Sequence, residues 1–179
     1  MPNPVVLLAS SRPEGHTKKA VQGALEFCLG ESVKDVSWEI LCTLSILPYD
    51  YENKNATDDF LSLIRRLLQH DLIIFATPVY WYTMSAHMKI FFDRITDLLV
   101  HHKELLRAFK DKKAMIIASS ASGKPEAFEI PFALTFQYLS MDYIGCWDFI
   151  FPEKTPEHVA HNQEQKKSLE GQWKKCMPF

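Results

Sequence analysis

The sequence predicts an α/β protein, a doubly wound parallel sheet of five strands with helices on both faces. Short apolar runs alternate along the chain with stretches whose apolar residues recur at helical spacing, the pattern of β and α elements wound around a parallel sheet. The central runs are apolar throughout, as strands buried on both faces are. The 179 residues, 47% hydrophobic and 23% charged, are enough for a single domain over 1–179 with a full core.

The first strand is Val5 to Ala9, followed after a polar loop by a helix with the stripe Ala20, Val21, Ala24, Leu25 and Cys28, which Gly30 ends. Val36 to Leu41 alternates as a second strand. A long connection through Ile46 to Tyr51 leads to Thr57, which with Asp58 and Asp59 makes a helix start for the face Phe60, Leu61, Ile64, Leu67 and Leu68. Leu72 to Ala76 is the third strand, and Met84, Met88, Phe91, Ile95 and Leu98 mark the core face of the next helix. Lys112 to Ala118 is the fourth strand, ending in the small loop Ser119 to Gly123. A further helix is expected from near Pro125, interrupted or delayed by Pro131. The fifth strand lies within Tyr143 to Phe151. After Pro156 the chain is polar, with a helix expected near Glu164 to Lys174 and Trp173 as its one large apolar anchor.

A net charge of −2 and scattered Lys and Arg give no basic field for nucleic acid. No apolar run approaches the ~20 residues that cross a bilayer, and the N-terminus lacks signal-peptide features, so a cytoplasmic protein is expected, without a membrane partner. Cys28, Cys42, Cys146 and Cys176 are widely spaced and read as reduced thiols, the first three as small buried hydrophobes. His101, His102, His158 and His161 lack ligand partners at metal spacing, so no metal site is expected.

In a sheet of order 2-1-3-4-5 the loops after strands one, three and four adjoin at the carboxyl edge. The first, Ser10-Ser11-Arg12-Pro13-Glu14-Gly15-His16-Thr17, gathers hydroxyls, amides, a helix N-terminus and a guanidinium, as a phosphate monoester requires. It equally reads as a hydroxyl-rich turn with Thr17 as an ordinary helix cap. The second, Ala76-Thr77-Pro78-Val79-Tyr80-Trp81-Tyr82-Thr83, places three amphipathic rings where a connection ordinarily has Gly, Asn or Asp. Those rings suit a flat ligand or packing under a loop or subunit, Tyr82 in particular. The third is small enough for close approach to main chain. A planar heterocycle with a phosphate tail, such as flavin mononucleotide (FMN), satisfies all three. There is no G-x-x-x-x-G-K-[ST], no G-x-G-x-x-G after the first strand, and neither Ser119 nor Ser120 lies in G-x-S-x-G. Nucleotidase, dinucleotide dehydrogenase and hydrolase readings lose ground.

Two stretches resemble the NADPH-dependent FMN reductase family of the flavodoxin-like superfamily, with its quinone and azo-dye reductase relatives. Ala9-Ser10-Ser11-Arg12 to His16-Thr17 is similar to its G-S-x-R-x-x-S opening loop, and Pro78-Val79-Tyr80 through Met88-Lys89-Ile90-Phe91-Phe92-Asp93-Arg94 to its P-x-Y-x-x-x-x-x-x-L-K-x-F-x-D-R pattern. The likeness covers about 4–151, leaving 152–179 as a peripheral segment. It implies a flavodoxin-like fold in which Ser10, Ser11, Arg12, His16 and Thr17 hold the FMN phosphate. It further implies that Pro78, Val79, Tyr80 and Trp81 line the ring system and ribityl, and that Ser119, Ser120 and Gly123 border its pyrimidine side. Ala9 replaces a common glycine, His16 a usual serine and Met88 the leucine. No iron-sulfur cysteines occur near Pro48 to Tyr51.

The resemblance implies FMN as cofactor, NADPH or NADH as reductant and a small-molecule acceptor: a quinone, an azo compound or a flavin. Chemistry at flavin N5 needs no catalytic side chain; a backbone amide of residues 80–83 is expected near N5. It also implies a homodimer or homotetramer, with the helix carrying Phe91 and Phe92 partly buried by a partner. The alternatives are a flavodoxin-like FMN electron carrier or redox sensor acting through a protein partner, and an interaction module without flavin.

Overall fold

The computed structural model describes residues 3–176, the side chain of Cys176 excepted. Five parallel strands, β1 (Pro4–Leu8), β2 (Ser37–Ile40), β3 (Leu72–Pro78), β4 (Lys113–Ser120) and β5 (Asp142–Ile150), form one sheet in the order β2-β1-β3-β4-β5. Six α-helices are described: α1 (His16–Leu29), α2 (Phe60–Leu67), α3 (Ala86–His101), α4 (Lys103–Arg107), α5 (Ile130–Tyr138) and α6 (Pro156–Cys176).

Alternation along β1 divides the interior into two cores. Val5 and Leu7 meet α2, α3 and α5 through Phe60, Ile64, Met88, Phe91, Phe132 and Phe136. Val6 and Leu8 face α1 and α6 through Ala20, Val21, Leu25, Leu169 and Trp173. All seven residues of β3 are buried, as a central strand of a covered parallel sheet must be. In the first core, Phe75 lies 4.8 Å from Phe136 and 5.7 Å from Phe92, and Phe92 meets Phe132 edge-on at 5.2 Å. Such ring pairs each contribute about 0.5–1.5 kcal/mol beyond burial. Phe91, edge-on to Phe60 at 5.9 Å and to Phe92 at 5.8 Å, is covered by its own chain at 1% exposure, while Phe92 is half-buried.

Several boundaries differ from the sequence reading. Thr57 does not start a helix; α2 begins at Phe60, whose amide donates to Asp58 Oδ1 at 3.0 Å. Asp58 is drawn away by Arg94 of α3, to which it is ion-paired. β3 and β4 run two residues further than their apolar cores, so Ser119 and Ser120 end a strand instead of opening a loop. A tight turn of residues 126–129 precedes α5, which carries Pro131 in its first turn, the position where a missing amide costs nothing. A bulge interrupts β4–β5 pairing at Ala114/Met115. There Gly145 adopts φ 151°, and a Cβ would stand 3.0 Å from the Trp147 ring.

α6 starts at Pro156, earlier than expected, and Leu169 joins Trp173 in the second core. It also covers the open edge of β5. Asn162 Oδ1 accepts from the Ile150 amide at 2.7 Å and its Nδ2 donates to the Ile150 carbonyl at 2.9 Å, as a paired strand would; Gln165 Oε1 accepts from the Asp148 amide at 3.2 Å. An edge so covered offers no template to another strand. Cys28, Cys42 and Cys146 are free and half-buried, while the side chain of Cys176 lies outside the described ones. Burial, then Glu170, pushes the Cys28 thiol up to about 12; burial, then Glu129, raises Cys146. Neither thiol is poised as a nucleophile.

Candidate functional site

After β1 the chain turns from Ser10 to Gly15 into α1. Ser10 is buried and shapes that turn: its Oγ donates to the Arg12 carbonyl at 3.1 Å and accepts from the Arg12 amide at 3.2 Å. The Gly15 amide closes on the same carbonyl at 3.0 Å, and a Cβ there would stand 3.0 Å from that oxygen. No side chain caps α1 and no acidic residue occupies its first turn, so its leading amides remain donors at the positive end of a helix dipole. Thr17 is not the cap that a bland turn would make of it. Its Oγ1 shares a 2.7 Å hydrogen bond with Ser119 Oγ, tying this loop to the end of β4. Lys18 turns to Glu14 at 2.5 Å and neutralises it. The exposed Arg12 and Lys19 side chains have no ionic or hydrogen-bonding partner among the described residues.

The opposite wall comes from the end of β3. The Val79 amide donates to the Ser119 carbonyl at 2.8 Å, fixing Pro78 and Val79 against β4. Ser85 caps α3 by accepting from the Met88 amide at 3.3 Å. Its Oγ also donates to the Ala9 carbonyl at 2.6 Å, and its amide donates to Thr77 Oγ1 at 3.1 Å. One residue thus locks the ends of β1 and β3 to the start of α3, its hydroxyl holding β1 and its amide β3. Its place before the helical stripe is a readable cap signal that the sequence reading missed.

Between these walls lies a cleft of about 1110 Å³. Ten of the twelve residues singled out from sequence line it: Ser10, Ser11, Arg12, His16, Thr17, Pro78, Val79, Tyr80, Ser119 and Ser120. Lys19 and Phe151 line it too. Lys19 follows His16 by three positions on α1, a spacing visible in the sequence; Phe151, just past β5, stacks on the His16 ring at 5.7 Å. Gly123 and Trp81 are not in the lining. Gly123 donates its amide to Ser120 Oγ at 2.8 Å, and the Lys124 amide goes to Asp148 Oδ2 at 3.1 Å, so this loop leans toward β5. Trp81 sits on a hairpin tip: Tyr80 and Thr83 exchange backbone hydrogen bonds of 2.9 and 3.1 Å, with Trp81 at φ 46° and Tyr82 at φ 70° between them. Those bonds occupy the Tyr80 and Thr83 amides, so the free amides of residues 80–83 are those of Trp81 and Tyr82.

The cleft therefore offers amide donors, hydroxyls and two unpaired cations at one end and Val79 with Tyr80 along one wall. That set fits a phosphate monoester carrying a flat ring. Among the described residues no group of three or more His, Cys, Asp or Glu side chains is placed to hold a metal ion.

The sequence profile of the NADPH-dependent FMN reductases matches residues 2–153. The chain belongs to that family. It is 33% identical over 94 residues to YwqN of Bacillus subtilis, a protein named for NAD(P)H-dependent, FMN-containing oxidoreductase activity. The matched stretch covers 49% of this chain and spans about half (51%) of that relative. Among solved structures, the Trp repressor binding protein of B. subtilis superposes with a TM-score of 0.69 at 23% identity, covering 94% of this chain and 97% of that one. An FMN-dependent NADH-azoreductase of Bacillus anthracis, solved in complex with FMN, gives 0.68 at 10% identity, covering 97% and 99%. At these identities the two structures establish the shared flavodoxin-like fold.

Proposed function

We propose that the protein is an FMN-dependent NAD(P)H oxidoreductase that reduces quinones, azo compounds or flavins. The observation that carries this reading is the uncapped start of α1, with Arg12 and Lys19 unpaired, opening into the same cleft as Tyr80. When bound there, FMN would supply two-electron chemistry between reduced nicotinamide and acceptor. The α1 amides, the Arg12 guanidinium and the Thr17–Ser119 hydroxyl pair would hold its phosphate, while Pro78, Val79 and Tyr80 would position the ring system. The Ser85 lock keeps the two walls in register, so the slot is preorganised rather than assembled on binding. His16 adds an imidazole at the phosphate end, held face to face with Phe151.

The setting proposed is cytoplasmic, where the free thiols Cys28, Cys42 and Cys146 stay reduced. A homodimer or homotetramer is the proposed assembly. Its support is α5, whose residues Ile130, Leu134 and Tyr138 form an exposed stripe in a segment, 130–141, that carries no charged residue.

The purified protein titrated with FMN is expected to bind it and turn yellow, and anaerobic NADPH or NADH is expected to bleach that colour within turnover time. A protein that fails to bind FMN would sink this reading. Binding followed by slow bleaching with both nucleotides would favour an electron carrier instead.

A further inference from the structure

We propose that the cleft takes flavin adenine dinucleotide (FAD) as well as FMN, with the His16–Phe151 pair as a stacking platform for the adenine and Lys19 as the partner of the second phosphate. This rests on the reading above that the cleft holds a flavin, and extends it to the far end of the ligand.

The two rings line the cleft at the end where its hydroxyls and cations gather, 5.7 Å apart and 22° from parallel. FMN ends there in a phosphate and has no ring to lay against them. Phe151 is held firmly: its amide donates to the Ser120 carbonyl at 2.9 Å and its side chain packs against the second core, while His16 is exposed. A purine laid on such a pair continues it in the offset stacking that aromatic rings prefer. Charge points the same way. Of the Asp, Glu, Lys and Arg side chains in the lining, Glu14 is neutralised by Lys18, which leaves Arg12 in the turn and Lys19 one turn inside α1 as separate cations. A monoester gathers its negative charge on one phosphorus, which Arg12 and the leading α1 amides already serve. A pyrophosphate spreads its charge over two neighbouring phosphates, one for each cation. The cleft is also roomy, its volume of about 1110 Å³ exceeding the roughly 300–1,000 Å³ of pockets that enclose one drug-sized ligand.

The test is equilibrium dialysis of the purified, flavin-free protein against FMN and against FAD. FAD is expected to bind within about tenfold of FMN, or more tightly; a larger deficit overturns the proposal. Phe151→Leu and Lys19→Gln are each expected to raise the ratio of the FAD to the FMN dissociation constant at least about fivefold, the worth of one stacked base or one charged contact. FMN affinity read on the same variants separates loss of the platform from damage to the fold, since Phe151 also packs against the second core and Lys19 does not. A loss that falls equally on both flavins, or a ratio that holds in either variant, overturns the proposal. Should the ratio hold while binding of NADP⁺ to the FMN-loaded protein weakens in Phe151→Leu, the platform serves the reductant and the proposal falls. If neither flavin binds, the oxidoreductase reading fails as well; if FMN binds and FAD is refused, only the present inference is lost.

Discussion

Two arginines, one from each of the stretches that carry the family pattern, end in opposite surroundings. Arg94 on α3 is 1% exposed and fully engaged. Nε donates to Asp97 at 2.6 Å, Nη1 to the Leu47 carbonyl at 2.9 Å and to Asp58, and Nη2 to Asp58 Oδ1 at 3.2 Å, with the Phe60 ring 4.8 Å away. Arg12 is exposed at the cleft mouth and makes no such bond. The first completes the fold by pinning the long connection between β2 and α2 to α3. The second has every donor available, which is the condition of a group awaiting an anion. A charge that the protein satisfies itself is structural; one held at a cleft and left unsatisfied is the better guide to function.

The largest effect is expected at Arg94. Arg94→Met leaves Asp58 and Asp97 facing a buried thioether, and removing one member of a buried ionic cluster typically costs about 3–5 kcal/mol. Urea unfolding should show that loss, and the thermal midpoint should fall by roughly 6–20 °C. A variant within about 1 kcal/mol of the parent would show that the connection does not depend on this clasp.

Arg12→Ala should do the reverse. With no partner to lose, its stability should stay within about 0.5 kcal/mol of the parent. FMN affinity should weaken roughly 10–100-fold, the worth of one charge-assisted contact, and the deficit should shrink as salt is raised. If FMN binds the variant as tightly as the parent, the phosphate lies elsewhere in the cleft.

The same contrast marks what could be read from sequence. The sheet was legible because Val5 to Leu8, Leu72 to Ala76 and Ala114 to Ala118 are unbroken apolar buried runs, and the ligand edge followed once the order 2-1-3-4-5 was granted. Arg94 was readable as a motif letter, yet its partner Asp58 lies 36 residues away; local rules assigned that carboxylate to a helix start at Thr57. Ser119 and Ser120 look like loop residues, and only pairing across the sheet, Ser119 with β3 and both with β5, makes them strand. The Trp81–Tyr82 turn was illegible for a sharper reason: its residues contradict the preferences of the turn they form, so propensity could not find it. The sequence reading set Trp81 against the cofactor; the structure puts Tyr80 in the cleft lining and Trp81 on the exposed tip beside it.

The smallest expected effect is acid sensitivity, and it separates the two arginines again. Burial alone would raise the Asp58 carboxyl, but bonds from the Arg94 guanidinium, then the Phe60 and Leu47 amides, hold it below its ordinary value. A carboxylate whose folded pKa is depressed stabilises the protein above its unfolded pKa, about 3.9, and that contribution is lost as pH falls through the folded value. Urea midpoints taken from about pH 5 down to about pH 3 should therefore fall more steeply for the parent than for Asp58→Asn. Arg12→Ala should follow the parent, since Arg12 is paired with no carboxylate whose pKa it could depress. Coincident slopes for the parent and Asp58→Asn would mean that Asp58 is no better stabilised in the folded chain than in the unfolded one, and the clasp would then owe its strength to Asp97 and the carbonyls alone.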